Sequence, residues 1–127
     1  MVNTVRVLTL GTVLAQSGSG GYSNPDITRA RGRIVLALTP NDARENIIRN
    51  KGEILVCKIL TEEYTPIIRL VNGIICEGIS EISEQELHYI NPNLVWLTNI
   101  SNATKKLESG LAVTIDAKQL LVYEGTI

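Results

Sequence analysis

Three short apolar runs constrain this chain more than anything else in it: Ile54-Leu55-Val56-Cys57, Ile74-Ile75-Cys76 and Leu94-Val95-Trp96-Leu97. None of them alternates with polar residues. Each must therefore be covered on both faces, as parallel strands are inside an α/β layer. Helix signals fall around them. Thr39-Pro40-Asn41-Asp42 supplies an N-cap, a proline at the first helical position and an acid in the first turn. Ala43, Ile47 and Ile48 would face inward, and Lys51-Gly52 would close this helix. A second helix is expected from Thr65-Pro66 through Ile67, Ile68 and Leu70-Val71 to Gly73. Ser83-Glu84-Gln85-Glu86 forms a capping box that opens a third, which ends before Asn91-Pro92-Asn93. A short fourth helix runs from about Asn102 to Leu107 and stops at Gly110.

The chain ends read differently. Val5 to Leu10 and Gly32 to Leu38 are strand-like, and Ala112 to Ile115 and Leu120 to Tyr123 form a hairpin around Asp116 to Gln119. These strands, with no helices between those of the hairpin, predict an antiparallel layer packed on the parallel one. The expected fold class is α/β, a three-layer β/β/α arrangement with the parallel sheet next to the helices, in one domain spanning 1–127. Residues 16–31 read as a Gly/Ser-rich loop, since Gln16 to Asn24 is followed by Pro25. Gly18, Gly20 and Gly21 lack the following Lys-Ser/Thr of a phosphate-cradling loop.

Composition narrows the functional classes. A length of 127 residues with 44% hydrophobic and 20% charged residues suits one domain with a real core. There is no Phe, so Ile, Leu and Val must build that core. A net charge of −1, one Trp and four Tyr offer neither a basic field nor many stacking platforms, so no nucleic acid or membrane partner is expected. Cys57 and Cys76 match neither a CxxC nor a zinc spacing and read as reduced, buried thiols. With His88 the single histidine, no metal is expected, and no cofactor. Arg6 precedes the apolar stretch Val7 to Ala15, but Thr9, Gly11 and Thr12 interrupt it, which favours a first strand over a signal peptide. The expected location is cytoplasmic, where the sequons at Asn99 and Asn102 carry no meaning.

The segment 72–89 is where chemistry would sit. A strand end feeding a helix start is the usual seat of anionic ligands in an α/β layer. Here Glu81, Glu84 and Glu86 crowd that place, with no cation immediately beside them. They would repel a phosphate. Three roles are open: stabilising a helix N-terminus, docking a basic partner, or accompanying His88, one turn after Glu84 on the same face, as the reactive group.

Several of these stretches carry a resemblance. Gly52-Glu53-Ile54-Leu55-Val56, Thr65-Pro66-Ile67-Ile68 and Asn72-Gly73-Ile74-Ile75-Cys76-Glu77 resemble the phosphohistidine (swivelling) domain of phosphoenolpyruvate-utilising enzymes. Asn102-Ala103-Thr104, Leu107, Gly110, Val113-Thr114-Ile115-Asp116 and Val122-Tyr123-Glu124-Gly125 resemble the extra C-terminal domain of bacterial pyruvate kinases. The likeness spans about residues 32–125. It implies a mobile domain whose partner is the catalytic body of a pyruvate kinase or related enzyme. Pyruvate kinase activity itself needs a barrel of about 250 residues.

The departure falls on the family's reactive motif, a Gly-Gly turn followed by Thr-Ser-His opening a helix. Ile79-Ser80 stand where the glycines belong and Ile82-Ser83-Glu84 where Thr-Ser-His belongs. Ser83 survives, and Glu84 replaces the histidine. A phosphoacceptor needs an unprotonated imidazole nitrogen and positive or N–H character nearby. Glu84 cannot form a phosphoramidate. The expectation is a non-catalytic phosphohistidine-like domain with a structural or regulatory binding role, the slot at Ser83 and Glu84 degenerate and Glu81, Glu84 and Glu86 a docking surface. The alternatives are phosphoryl transfer from phosphoenolpyruvate through His88, and a small-molecule sensor that uses the Gly/Ser loop as a lid.

Overall fold

The computed structural model describes residues 13–16, 18–50 and 54–125, with backbone alone at 47–50. The strand expected at Val5 to Leu10, the inward side chains of Ile47 and Ile48 and the Lys51-Gly52 stop lie outside the described residues. The described strands are β1 (Val13–Gln16), β2 (Ser19–Tyr22), β3 (Arg29–Leu36), β4 (Ile54–Cys57), β5 (Gly73–Cys76), β6 (Val95–Thr98), β7 (Ala112–Asp116) and β8 (Leu121–Glu124). The helices are α1 (Pro40–Asn50), α2 (Thr65–Ile68), α3 (Glu84–Ile90) and α4 (Ala103–Lys106). The strands join in one eight-stranded sheet, in the order β1-β8-β7-β3-β4-β5-β6-β2. This is a mixed α/β domain with helices flanking the sheet.

β3 holds the two kinds of ladder together. Its first half pairs antiparallel with β7, from Arg29↔Asp116 to Arg33↔Ala112, and its second half pairs parallel with β4, Ile34 opposite Ile54. β4, β5 and β6 continue in parallel, with Cys57 opposite Cys76 and Gly73 opposite Val95. Because side chains alternate across a strand, the apolar runs feed two separate cores. Leu55, Cys57, Ile74, Cys76 and Trp96 pack with Ala43, Tyr64, Ile67, Ile68 and Leu87 of the helical side. Ile54, Val56, Ile75, Val95 and Leu97 pack with Val113, Ile115 and Val122 of the antiparallel strands. Burial on both faces is thus realised as the runs demand.

Gly73 marks a close passage between the parallel and antiparallel strands. A Cβ there would lie 2.6 Å from the Ile115 side chain and 3.1 Å from that of Ala30. No side chain larger than hydrogen fits without displacement.

The described residues of 16–31 do not form one continuous loop. Ser19–Tyr22 is the edge strand β2, antiparallel to β6 from Ser19↔Thr98 to Tyr22↔Val95, and β3 begins at Arg29 rather than Gly32. The glycines are there because Trp96 is. A Cβ on Gly20 would come within 2.6 Å of the Trp96 carbonyl oxygen, and one on Gly21 within 2.6 Å of the Trp96 ring. The bare backbone lies directly on the indole.

The second helix is also shorter than expected. A 3-10 turn at Glu62–Tyr64 runs into α2, which ends at Ile68, and Leu70 is 61% exposed. The Asn91 side-chain amide donates to the carbonyls of Ile68 (2.8 Å) and Val71 (3.0 Å). That amide occupies carbonyls that a longer helix would have used itself. The first helix starts as expected, with the Asp42 N–H donating to Thr39 Oγ1 at 3.1 Å. Among the described residues no helix is long and apolar enough to cross a membrane.

Candidate functional site

The carboxyl ends of the parallel strands open on a crevice. β5 ends at Cys76, and Glu77 to Ser83 lead into α3; β6 ends at Thr98, where β2 brings Ser19 alongside. Between them lies a recess of about 340 Å³, walled on its polar side by Ser19, Ser80, Ser83, Glu84, Thr98 and Asn99. Open α/β sheets bind ligands at this edge.

The hydroxyl and amide groups of this recess are engaged within the fold. The Ser80 hydroxyl donates to the Ile82 carbonyl at 2.8 Å and accepts from the Ile82 N–H at 3.1 Å. The Ser83 hydroxyl accepts from the Glu86 N–H at 3.2 Å and donates to the Glu86 carboxylate at 3.3 Å. Ser19 and Thr98 share a hydrogen bond through their hydroxyls, and the Asn99 amide donates to Ser19 at 3.1 Å. Ile79 is 58% exposed over the recess.

The sequence-derived residues do not act as one group. Ser83 caps α3, and Glu86 answers it, so both belong to the helix start. Glu81 and Glu84 are exposed, and neither carboxylate has a hydrogen bond or ion pair among the described residues. His88 is exposed and faces a second hollow, on the other side of Glu84, bounded by Gly21, Tyr22, Gln85 and Trp96. Neither Lys nor Arg lines either recess. The wall formed by Ser19, Thr98 and Asn99 was invisible in the sequence reading, because it exists through the β2–β6 pairing.

Two further groups belong to this edge. Glu77, just past β5, accepts from the Thr104 N–H at 3.0 Å and the Thr104 hydroxyl at 2.8 Å. Those bonds hold its carboxyl below the ordinary value of 4.5. α4 needs that anchor, since its own N-cap Asn102 sits at φ 59° with no side-chain cap. Cys57 and Cys76 are register partners, buried and free of disulfide. The Cys76 thiol points at the carbonyls of Lys58 and Ile79, both at 3.3 Å. The hydrogen bond that Cys57 donates to the Cys76 sulfur, together with burial, pushes the Cys57 thiol far above the ordinary range, so it stays protonated. No three His, Cys, Asp or Glu side chains converge as a metal site among the described residues.

No protein-family model matches the chain. It is 25% identical over 125 residues to a pyruvate kinase of Lactobacillus delbrueckii subsp. bulgaricus, covering 98% of this chain and 20% of that protein. It is 26% identical over 98 residues to a phosphoenolpyruvate synthase of Aeropyrum pernix, covering 77% of this chain and 12% of that one. Pyruvate kinase 2 of Synechocystis sp. is 26% identical over 134 residues, covering 95% of this chain and 22% of that protein. The chain thus spans less than a quarter of each of these relatives' length. A crystal structure of aconitase X from Thermococcus kodakaraensis in its holo form shares the fold at a TM-score of 0.52 and 15% identity, over 90% of this chain and 98% of that one. By sequence, at low identity, this chain is related to a fragment of phosphoenolpyruvate-utilising enzymes.

Proposed function

We propose that the chain is a phosphohistidine-like domain of the swivelling β/β/α type that has lost phosphoryl transfer and keeps a structural or regulatory binding role. The observation that carries this reading is Glu84 at the first position of α3, beside a recess with no cation and with its serine hydroxyls already bonded within the fold. Attack by that carboxylate would give an acyl phosphate close to Glu81 and Glu86, where like charges oppose its formation. Ile79 adds a side chain where an incoming phosphoryl group needs bare backbone. The exposed carboxylates of Glu81 and Glu84, with Glu86, then form an acidic surface suited to a basic face on a catalytic body of the pyruvate kinase type.

The rival reading keeps phosphoryl transfer and moves it to His88. Its hollow offers the imidazole Glu84 and Gln85, and no Lys or Arg side chain to draw a dianion in. Incubation with radiolabelled phosphoenolpyruvate and a phosphotransferase body of a related enzyme separates the two. The expected result is no label on the domain. An acid-labile, base-stable adduct that disappears in His88→Gln would overturn the proposal.

A further inference from the structure

We propose that the opposite, amino-terminal edge of the parallel strands carries a binding site for a small oxyanion, centred on Arg31. β3 alternates Arg29-Ala30-Arg31-Gly32-Arg33, which puts three guanidinium groups on its exposed face and Ala30 in the core. Their surroundings differ. Arg33 Nη1 donates to the Gly110 carbonyl at 2.8 Å. Arg29 Nε donates to Asp116 Oδ2 at 2.8 Å, and Asp116 Oδ1 accepts the N–H groups of Lys118 and Gln119 at 2.9 Å each. Asp116 is therefore fully engaged. The Arg31 guanidinium has no hydrogen bond or ion pair among the described residues.

Beside Arg31 lies a hollow of about 240 Å³, bounded by Ile27, Arg29, Ala30, Asn72 and Asn93. Asn72 precedes β5 and donates its amide to the Arg31 carbonyl at 3.3 Å, which ties the turn to β3. Asn93 precedes β6; its N–H bonds to Asn91 Oδ1 at 3.1 Å, while its side-chain amide has no partner among the described residues. No carboxylate lines the hollow. Two guanidinium groups against the single carboxylate of Asp116 leave the place net positive.

The chemistry of such a lining is specific. A guanidinium fork offers two parallel N–H donors that match the oxygens of a phosphate or carboxylate, and an amide adds a third donor. Ile27, packed against the core that the parallel and antiparallel strands share, gives an apolar wall for a short carbon chain. The volume suits inorganic phosphate or a small organic acid rather than a nucleotide. This site is independent of the acidic edge, so its fate and that of the proposal above are separable.

The test is an amide-resolved NMR titration of the whole chain with inorganic phosphate and, separately, with malonate, at ionic strength held constant with chloride. Saturable shifts are expected at Ile27 to Arg31, Asn72 and Asn93. Arg31→Gln should weaken them about tenfold or more. Arg31→Lys, which keeps the charge without the fork, should recover part of the affinity, and Glu84→Gln should change nothing. Preference for phosphate or for malonate would each support the site and identify its ligand class. Shifts that never saturate, that spread over the surface cations, or that survive Arg31→Gln would overturn it.

Discussion

The two edges of the same parallel strands differ in how far their hydrogen-bond donors are committed to the fold. At the carboxyl edge Ser80 and Ser83 bond within their own turns, Ser19 and Thr98 bond to each other, and Glu77 is tied to Thr104. At the amino edge the guanidinium of Arg31 and the amide of Asn93 remain available. The edge that α/β topology marks for function is thus the one whose donors already maintain the fold. Position in the topology offers a place for chemistry, but only uncommitted groups can use it.

The largest effect is expected where the amino edge is built. Gly73 lets the antiparallel strands pass over the start of β5, and a valine there would press on Ile115, Ala30 and Ile54. Gly73→Val should cost about 3 kcal/mol, read from the urea midpoint, and should disrupt the Arg31 hollow with it. An unchanged midpoint would mean that this close passage does not hold β3 in place.

Next comes Glu77, which tests whether the carboxyl edge is committed to structure. Glu77→Gln should lower stability by about 1–2 kcal/mol at neutral pH through its charge-assisted bonds to Thr104. Its folded value lies below the ordinary 4.5, so the contribution is present above 4.5 and is lost as pH falls through the lower folded value. Urea midpoints of the two proteins should therefore converge between pH 7 and pH values well below 4.5. A gap that persists in acid would assign the bond's strength to geometry rather than charge.

What could be read in the sequence follows the same division between local and distant causes. The strands Ile54–Cys57, Gly73–Cys76 and Val95–Thr98 were legible because two-sided burial leaves an unbroken apolar run, and Thr39 and Ser83 because caps are local. β2 was not legible. Its glycines look like a loop until Trp96 is placed beneath them, and nothing near Gly20 and Gly21 in the chain signals that contact. The stop of α2 at Ile68 likewise depends on Asn91, from another helix end. The arginines of β3 are a different case: their alternation with Ala30, Gly32 and Ile34 is a period-of-two signal, and it was available in the sequence. Among the candidate residues, Glu84 and Ser83 could be placed at a helix start from sequence, but the commitment of the surrounding hydroxyls required the β2–β6 pairing.

The smallest effects separate neighbours on α3. Ser83 Oγ accepts the Glu86 N–H, so Ser83→Ala removes a cap and should cost about 1 kcal/mol in thermal or urea unfolding. Glu84 stands one residue later with no partner of its own. Glu84→Gln should change stability by no more than a few tenths of a kcal/mol, through the helix dipole alone. If Glu84→Gln instead matched the loss in Ser83→Ala, its carboxylate would be part of the fold like the others at this edge, and an acidic docking surface would lose its central charge. A stability nearly unchanged, together with weaker association with a basic catalytic body, is what an uncommitted carboxylate predicts: within a crowded edge, Glu84 would be the group left over for a partner.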